Sequence, residues 1–304
     1  MTRQVFIFGA GYSGRAFAAA NSEGASFHGT TRSAEKFALL RSAGIEPLLF
    51  DGRQLSAEAE LALQSATHVI VSIAPEEDGD PVLRIAADTI RERMPRLEWI
   101  GYLSTVGVYG DHGGSWVDER SECRPVSRRS VLRLAAEQEW LITGRRAGVP
   151  VAVLRLSGIY GPGRNAFVNL ANGTAKRLIK PAQVFNRIHA DDIAGALWHL
   201  ARNNTGGIFN VTDDEPAPPQ DVITFAARLM GIDPPPETPF EGAQLSPMAR
   251  SFYGENKRVS NAAIKAAGYA FAFPNYREAL DQMWAKDVWR GTGEGDARSP
   301  IRQN

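Results

Sequence analysis

Short apolar runs rich in Val, Ile and Phe punctuate the chain at Val5 to Phe8, Ala25 to Gly29, Pro47 to Phe50, His68 to Ser72, Trp99 to Leu103, Val151 to Leu154 and Ile208 to Val211. Longer stretches with helical spacing stand between them, at about Ser13 to Ala20, Ala34 to Ala43, Ala57 to Gln64, Pro81 to Met94 and Ser130 to Arg145. Each strand-like run is thus followed by a segment long enough to cross back over a sheet, so successive strands run in the same direction. The pattern predicts an α/β fold, a doubly wound parallel sheet with a smaller C-terminal lobe.

After about residue 160 the alternation fades, and prolines cluster in Glu215 to Asp221 and in Asp233 to Pro239. A helix over Asp191 to Arg202 and the strand at Ile208 to Val211 are expected to return to the sheet. The division that follows is residues 1–160 with 188–212 in the first domain, and 161–187 with 213–288 in the smaller lobe. Residues 289–304 offer little apolar surface to offset their ordering entropy and read as a flexible tail.

Composition narrows the partners. The 34 basic and 34 acidic side chains cancel, which gives no excess positive field for nucleic acid or anionic lipid. Cys123 is the single cysteine, so no intrachain disulfide forms, in keeping with a reducing cytoplasm. The N-terminal apolar run is broken by glycines and Arg15 and reads as structure rather than a leader; no stretch matches a membrane span. His28, His68, His112, His189 and His199 lack metal-ligand spacing, so no metal is expected.

The first chemical signal is Gly9-Ala10-Gly11-Tyr12-Ser13-Gly14, a G-x-G-x-x-G between the first strand and the first helix. One glycine permits the tight turn, one lets a diphosphate approach the backbone, and one lets helix and strand pack, with Tyr12 and Ser13 opening the helix toward the anion. A Rossmann-type dinucleotide site is therefore expected. An acid for an adenosine ribose should stand about 20 residues on. The stretch reads instead His28-Gly29-Thr30-Thr31-Arg32-Ser33, with Thr31, Arg32 and Ser33 suited to a 2′-phosphate and no carboxylate in that run, which favours NADP while leaving NAD possible. Asp51, closing the third strand, is placed either to accept from an adenine amino group or to serve as an ordinary turn aspartate. Ser72, at the end of the fourth strand, joins the same group.

Two later segments, Tyr102-Leu103-Ser104-Thr105-Val106-Gly107-Val108-Tyr109-Gly110-Asp111 and Leu154-Arg155-Leu156-Ser157-Gly158-Ile159-Tyr160-Gly161-Pro162-Gly163-Arg164, extend the picture. With the glycine loop, with Ile188-His189-Ala190-Asp191-Asp192-Ile193-Ala194 and with Phe209-Asn210-Val211, they resemble the extended short-chain dehydrogenase/reductase superfamily, its NAD(P)-dependent epimerases and dehydratases of nucleotide sugars. The resemblance runs collinearly from about residue 4 to 285. It implies a homodimer, a small-molecule substrate, and catalysis by a Ser or Thr with a Tyr-x-x-x-Lys pair.

Thr105 matches the first of these. Where the resemblance places the tyrosine and lysine, this chain has Arg129 and Arg133. A guanidinium stays charged at neutral pH and cannot shuttle a proton as a phenol does. At i and i+4 the two arginines can share a helical face and clamp a carboxylate, phosphate or developing oxyanion, with Glu137 a turn further partly offsetting their repulsion; a solvated basic face is the plain alternative. Tyr109 is the nearest substitute proton donor in sequence. Its strand leads to the same region, where arginines would favour a phenolate. The glycine loop departs too, since Phe8 stands where extended members have their first glycine. Arg164 and Asn165 follow the sixth strand on the ligand side of the sheet and, with Arg187, are candidate substrate contacts. The basic segments Lys176 to Lys180 and Glu255 to Arg258 could meet an anion in the cleft or be ordinary surface. The reading is an NADP-dependent oxidoreductase of the epimerase/dehydratase-like group with an atypical active site, or else a non-catalytic NAD(P)-binding sensor.

Overall fold

The computed structural model describes residues 2–245 and 247–291. Its first half alternates as the apolar pattern predicts: β1 (Arg3–Phe8), α1 (Tyr12–Ala20), β2 (Ala25–Thr31), a 3-10 turn at Ala34–Lys36 running into α2 (Phe37–Arg41), β3 (Ile45–Leu49), α3 (Ala57–Ser65), β4 (His68–Val71), α4 (Pro81–Glu92) and β5 (Trp99–Thr105). After a 3-10 turn at Val106–Tyr109 come β6 (Trp116–Val117), α5 (Arg128–Ala147) and β7 (Val151–Leu156). The rest is built of shorter pieces: β8 (Gly158–Tyr160), α6 (Ala166–Ala171), β9 (Arg177–Ile179), β10 (Arg187–His189), α7 (Ala190–Arg202) and β11 (Gly207–Val211). It ends in α8 (Pro219–Met230), β12 (Glu237–Pro239), α9 (Pro247–Phe252), β13 (Arg258–Val259), α10 (Ala262–Ala266) and α11 (Tyr276–Ala285).

Seven parallel strands form the main sheet in the order β11-β7-β5-β4-β1-β2-β3. The β4 and β7 strands are buried along their whole length, which is why they read as nearly continuous apolar runs. Alternate side chains feed two cores. Val5 and Ile7 pack with Phe17, Phe27 and Leu197 toward α1 and α7, and Phe6 and Phe8 pack with Val69, Ile90 and Trp140 toward α4 and α5. Because the strand order turns about β1, with β2 on one side and β4 on the other, the loop after β1 opens into the crevice at the carboxyl edge, where such sheets take ligands.

Three two-stranded pairs, β8 with β10, β9 with β12 and β6 with β13, lie outside the main sheet. The proline cluster at Glu215 to Asp221 marks the start of a helix rather than irregular chain. Pro218 and Pro219 open α8, where a missing N–H costs nothing and φ is already set. The expected tail begins too early: Trp289 is buried with Phe167, Tyr276 and Met283 and stacks on Trp284 at 6.0 Å. An indole of that area outweighs the glycine-rich sequence around it, and the remainder of the tail, 292–304, lies outside the described residues. No helix among the described residues is long and apolar enough to cross a membrane.

Candidate functional site

The glycine turn has the geometry its sequence demands. Gly9 has φ +80°, and a Cβ there would meet Ile73 Cγ1 at 2.8 Å, so only glycine fits. A Cβ on Gly14 would sit 3.2 Å from Ile7 Cγ2, the close approach of α1 to β1. At Gly11 the only neighbour within reach is the Gly9 carbonyl at 3.9 Å; this backbone faces open space. The start of α1 has no side-chain cap and no acid in its first turn, leaving its dipole for an anion. The turn therefore fits the diphosphate of a dinucleotide. Ser13 is buried under it, while Tyr12 reaches out to donate to the Pro162 carbonyl at 2.9 Å.

Thr30, in the same stretch, is consumed by the fold. Its Oγ accepts the Gly9 N–H at 2.8 Å and its carbonyl accepts the Ala10 N–H at 2.9 Å. Thr31 and Ser33 remain at the carboxyl end of β2, and Arg32 is exposed between them with no partner among the described residues. Glu35, just beyond the stretch read, accepts from Ser33 at 3.5 Å, so the turn does carry a carboxylate. Asp51 is exposed and its Oδ1 accepts the Arg53 N–H at 2.9 Å, a turn of the ordinary kind. It borders a cleft of about 470 Å³ lined also by Glu76, Asp78 and Arg84. Ser72 continues the ladder by donating its N–H to the Phe8 carbonyl, which places it across from the glycine turn.

Arg129 and Arg133 part company at the start of α5. Ser127 caps this helix by accepting the Ser130 N–H, and Arg129, in the first turn, is exposed. Arg133 turns inward. Its Nη1 donates to the Leu103 carbonyl at 3.0 Å, the Ile73 carbonyl at 3.2 Å and the Tyr102 hydroxyl at 3.2 Å. Ile73 is the residue that a Gly9 Cβ would strike, so Arg133 lies directly behind the glycine turn at the carboxyl ends of β4 and β5. The expectation of one clamp built from both guanidinium groups gives way to one half-buried anchor and one exposed charge. Thr105 ends β5 and its hydroxyl accepts the Gly107 N–H at 3.1 Å.

Tyr109, expected as the substitute proton donor, is engaged within the fold. It is fully buried, its hydroxyl donates to Asn210 Oδ1 at 2.8 Å and accepts from Arg155 at 2.9 Å, and burial pushes its pKa up to about 12 in spite of that guanidinium. Tyr102, a phenol beside Arg133, is equally buried and likewise raised by burial. Glu137, expected to temper the two helix arginines, is instead the buried partner of Arg155 at 2.8 Å and accepts from Ser104. This Arg155–Glu137–Ser104 group binds α5 to β5 and β7 beneath the site. The pairing was invisible in the sequence, where Arg155 stood only as part of a matching segment.

The substrate candidates are mostly structural. Asn165 is buried; it caps α6 through Val168 N–H and donates to the carbonyls of Gly161 and Trp289 at 2.8 and 2.7 Å. Both ends of its amide are used, so it does not face a ligand. Arg187 is half-buried and donates to the Phe185 and Ala217 carbonyls. Arg164 remains exposed on the Gly161 turn. The basic segments are internal ties: Arg177 pairs with Glu237, and Lys257 is buried against the Gly110 carbonyl and Glu255, both at 2.7 Å. His189 caps α7, accepting the Asp191 N–H. Among the described residues no cluster of three His, Cys, Asp or Glu converges on a metal position.

Residues 5–212 match the NAD dependent epimerase/dehydratase family. The chain is 28% identical to protein YeeZ of Escherichia coli over 252 residues, 77% of this chain and 86% of that one. A functionally unknown conserved protein from Silicibacter pomeroyi has a solved structure 44% identical in sequence, with a TM-score of 0.85 over 94% of this chain and 99% of the other. A human epimerase family protein solved with NADPH shares the fold at 18% identity, with a TM-score of 0.69 over 95% and 99% of the two chains.

Proposed function

The chain belongs to the NAD dependent epimerase/dehydratase family, and on that footing we propose that it is an NADP-dependent oxidoreductase whose proton-transfer apparatus has been replaced by fixed positive charge. The observation that carries this reading is Arg133, held against the strand ends immediately behind the glycine turn. When bound, the cofactor supplies hydride exchange; the remaining work falls to the chain's own side chains. The backbone of Gly11 to Gly14 holds the diphosphate, Arg32 with Thr31 and Ser33 receives the 2′-phosphate, and Asp51 and Ser72 border the adenosine half. A human relative solved with NADPH and a Bacillus cereus relative solved with NAD support a nicotinamide cofactor, and the choice of NADP rests on Thr31, Arg32 and Ser33.

Thr105 orients the substrate oxygen with the hydroxyl proton it retains. Arg133 stabilises negative charge growing on that oxygen without reorganising. Arg129 and Arg164, exposed toward solvent, attract the anionic part of a substrate that carries a hydroxyl or carbonyl, nucleotide sugars included. On this reading residues 1–160 with 188–212 carry the cofactor, and 161–187 with 213–288 close over the substrate. A second reading, a binding protein that senses cofactor state, is favoured by one observation: both phenols near Arg133 and Arg155 are buried and raised.

Titration of NADPH and NADH into the wild type and Arg32→Ala tests the cofactor assignment. Loss of a charged hydrogen bond is worth about 1.5–3 kcal/mol, so the variant is expected to bind NADPH about ten- to a hundredfold more weakly and NADH as before. Equal losses would contradict the assignment. A screen of carbonyl and nucleotide-sugar substrates for NADPH consumption separates the two readings: binding without turnover across the panel, unaltered by Arg129→Tyr, identifies a sensor.

A further inference from the structure

Tyr12 joins two parts of the molecule that lie 150 residues apart in the chain. It is the first residue of α1, next to Gly11, so its backbone N–H is one of the donors a helix leaves unpaired at its start. Its side chain leaves the glycine turn, and its hydroxyl donates to the Pro162 carbonyl at 2.9 Å. Gly161 makes the room. That residue has φ +154°, and a Cβ on it would stand 2.6 Å from the Tyr12 oxygen, so a larger residue would both strain the backbone and push the phenol away.

The turn that Tyr12 holds is closed on itself and tied forward into the smaller lobe. Gly161 and Arg164 each donate an N–H to the other's carbonyl at 3.0 Å. The next link is the Trp289 carbonyl, which accepts the Gly163 N–H at 2.8 Å and the Asn165 amide at 2.7 Å. Asn165 also caps α6, and the Trp289 indole is buried with Phe167 of α6 and with Tyr276 and Met283 of α11. Every step from the glycine turn to the core of the lobe is therefore a direct hydrogen bond or a packed contact. Segments joined in this way are ordered together, since what fixes one lowers the entropy left to the other.

We propose that Tyr12 is a positioning residue, its hydroxyl a tether through which a dinucleotide held at the glycine turn orders α6 and α11 of the smaller lobe. This tether rests on the cofactor reading above and extends it: the amides of the first turn of α1 take the diphosphate, and the phenol on the same turn carries the constraint to the Gly161 turn. The lobe that closes over the substrate is thereby set by what the other domain holds. Tyr12→Phe separates the two roles, because it keeps the backbone N–H and the ring and loses the hydroxyl.

Hydrogen–deuterium exchange of the full chain, with and without saturating NADP+, tests this in the wild type and in Tyr12→Phe. In the wild type NADP+ is expected to slow amide exchange at the glycine turn and also in α6 and α11, by at least about fivefold, the lower end of an ordinary coupling between two sites. In Tyr12→Phe the slowing at the glycine turn is expected to persist and that in α6 and α11 to fall away. Protection of the glycine turn in the wild type with none in α6 and α11 would overturn the tether and leave the cofactor reading standing; so would lobe protection that Tyr12→Phe retains in full. NADP+ that protects no segment of the wild type would overturn both. Melting curves establish first that Tyr12→Phe is folded, and the wild-type exchange pattern decides by itself if it is not.

Discussion

Arg155 and Glu137 are an ion pair with almost no solvent, at 3% and 0% side-chain exposure, and such pairs stand only while both partners are present. Glu137→Gln leaves a guanidinium buried beside Tyr109 and is expected to cost about 3–5 kcal/mol in urea unfolding, whereas replacing both partners with apolar residues should recover much of the loss. A single-variant cost below about 1 kcal/mol, the value of a surface pair, would contradict the description. Asp213 gives a second test. Its carboxyl is raised from an unfolded value of about 3.9 to about 8, so the stability it confers is full below about pH 4 and is lost as pH rises toward 8. Asp213→Asn removes that dependence, and its melting temperature should gain on the wild type between about pH 5 and 9; parallel profiles would rule this out. None of these partnerships was legible beforehand. Position in a strand says that Arg155 points inward, but which side chain meets it, or meets Asp213 just past β11, is decided by packing between distant segments.

The strands of the main sheet were legible because burial on both faces writes an uninterrupted apolar run, and α1, α3, α4 and α5 followed from what had to connect them. The pairs β6–β13, β8–β10 and β9–β12 were not, since two or three residues are too few to show a period. The α8 helix was hidden inside a proline cluster, although Pro218 and Pro219 stand where a helix tolerates them best. The junction of β2, β3 and the glycine turn is tightly fitted: a Cβ on Gly29 would lie 2.6 Å from Ile45 Cγ2 and 2.8 Å from Ala10 Cβ. Gly29→Ala is expected to destabilise by about 1–3 kcal/mol and, by pushing on Ala10, to weaken dinucleotide binding as well. A variant that melts and binds like the wild type would show that this junction yields.

The order β11-β7-β5-β4-β1-β2-β3 brings the glycine turn, the ends of β4 and β5 and the first turn of α5 to one edge, which is why motifs about a hundred residues apart in the chain could be read as one site. What the sequence reading could not supply was direction: Arg129 and Arg133 occupy equivalent places on a helical repeat, yet one is exposed and the other is anchored through Nη1 to three oxygens behind the turn. The central claim is that the backbone at Gly11 faces a bound diphosphate. A side chain there meets little of the protein, its nearest contact being a carbonyl at 3.9 Å, and would intrude only on the ligand. Fluorescence titration of NADPH into the wild type and Gly11→Val, with melting curves of both, is therefore the most direct measurement. The account predicts saturable binding by the wild type, an unchanged melting temperature for the variant, and a loss of affinity of at least about tenfold, or 1.4 kcal/mol. Equal binding by a folded Gly11→Val, or no binding by the wild type, would contradict it.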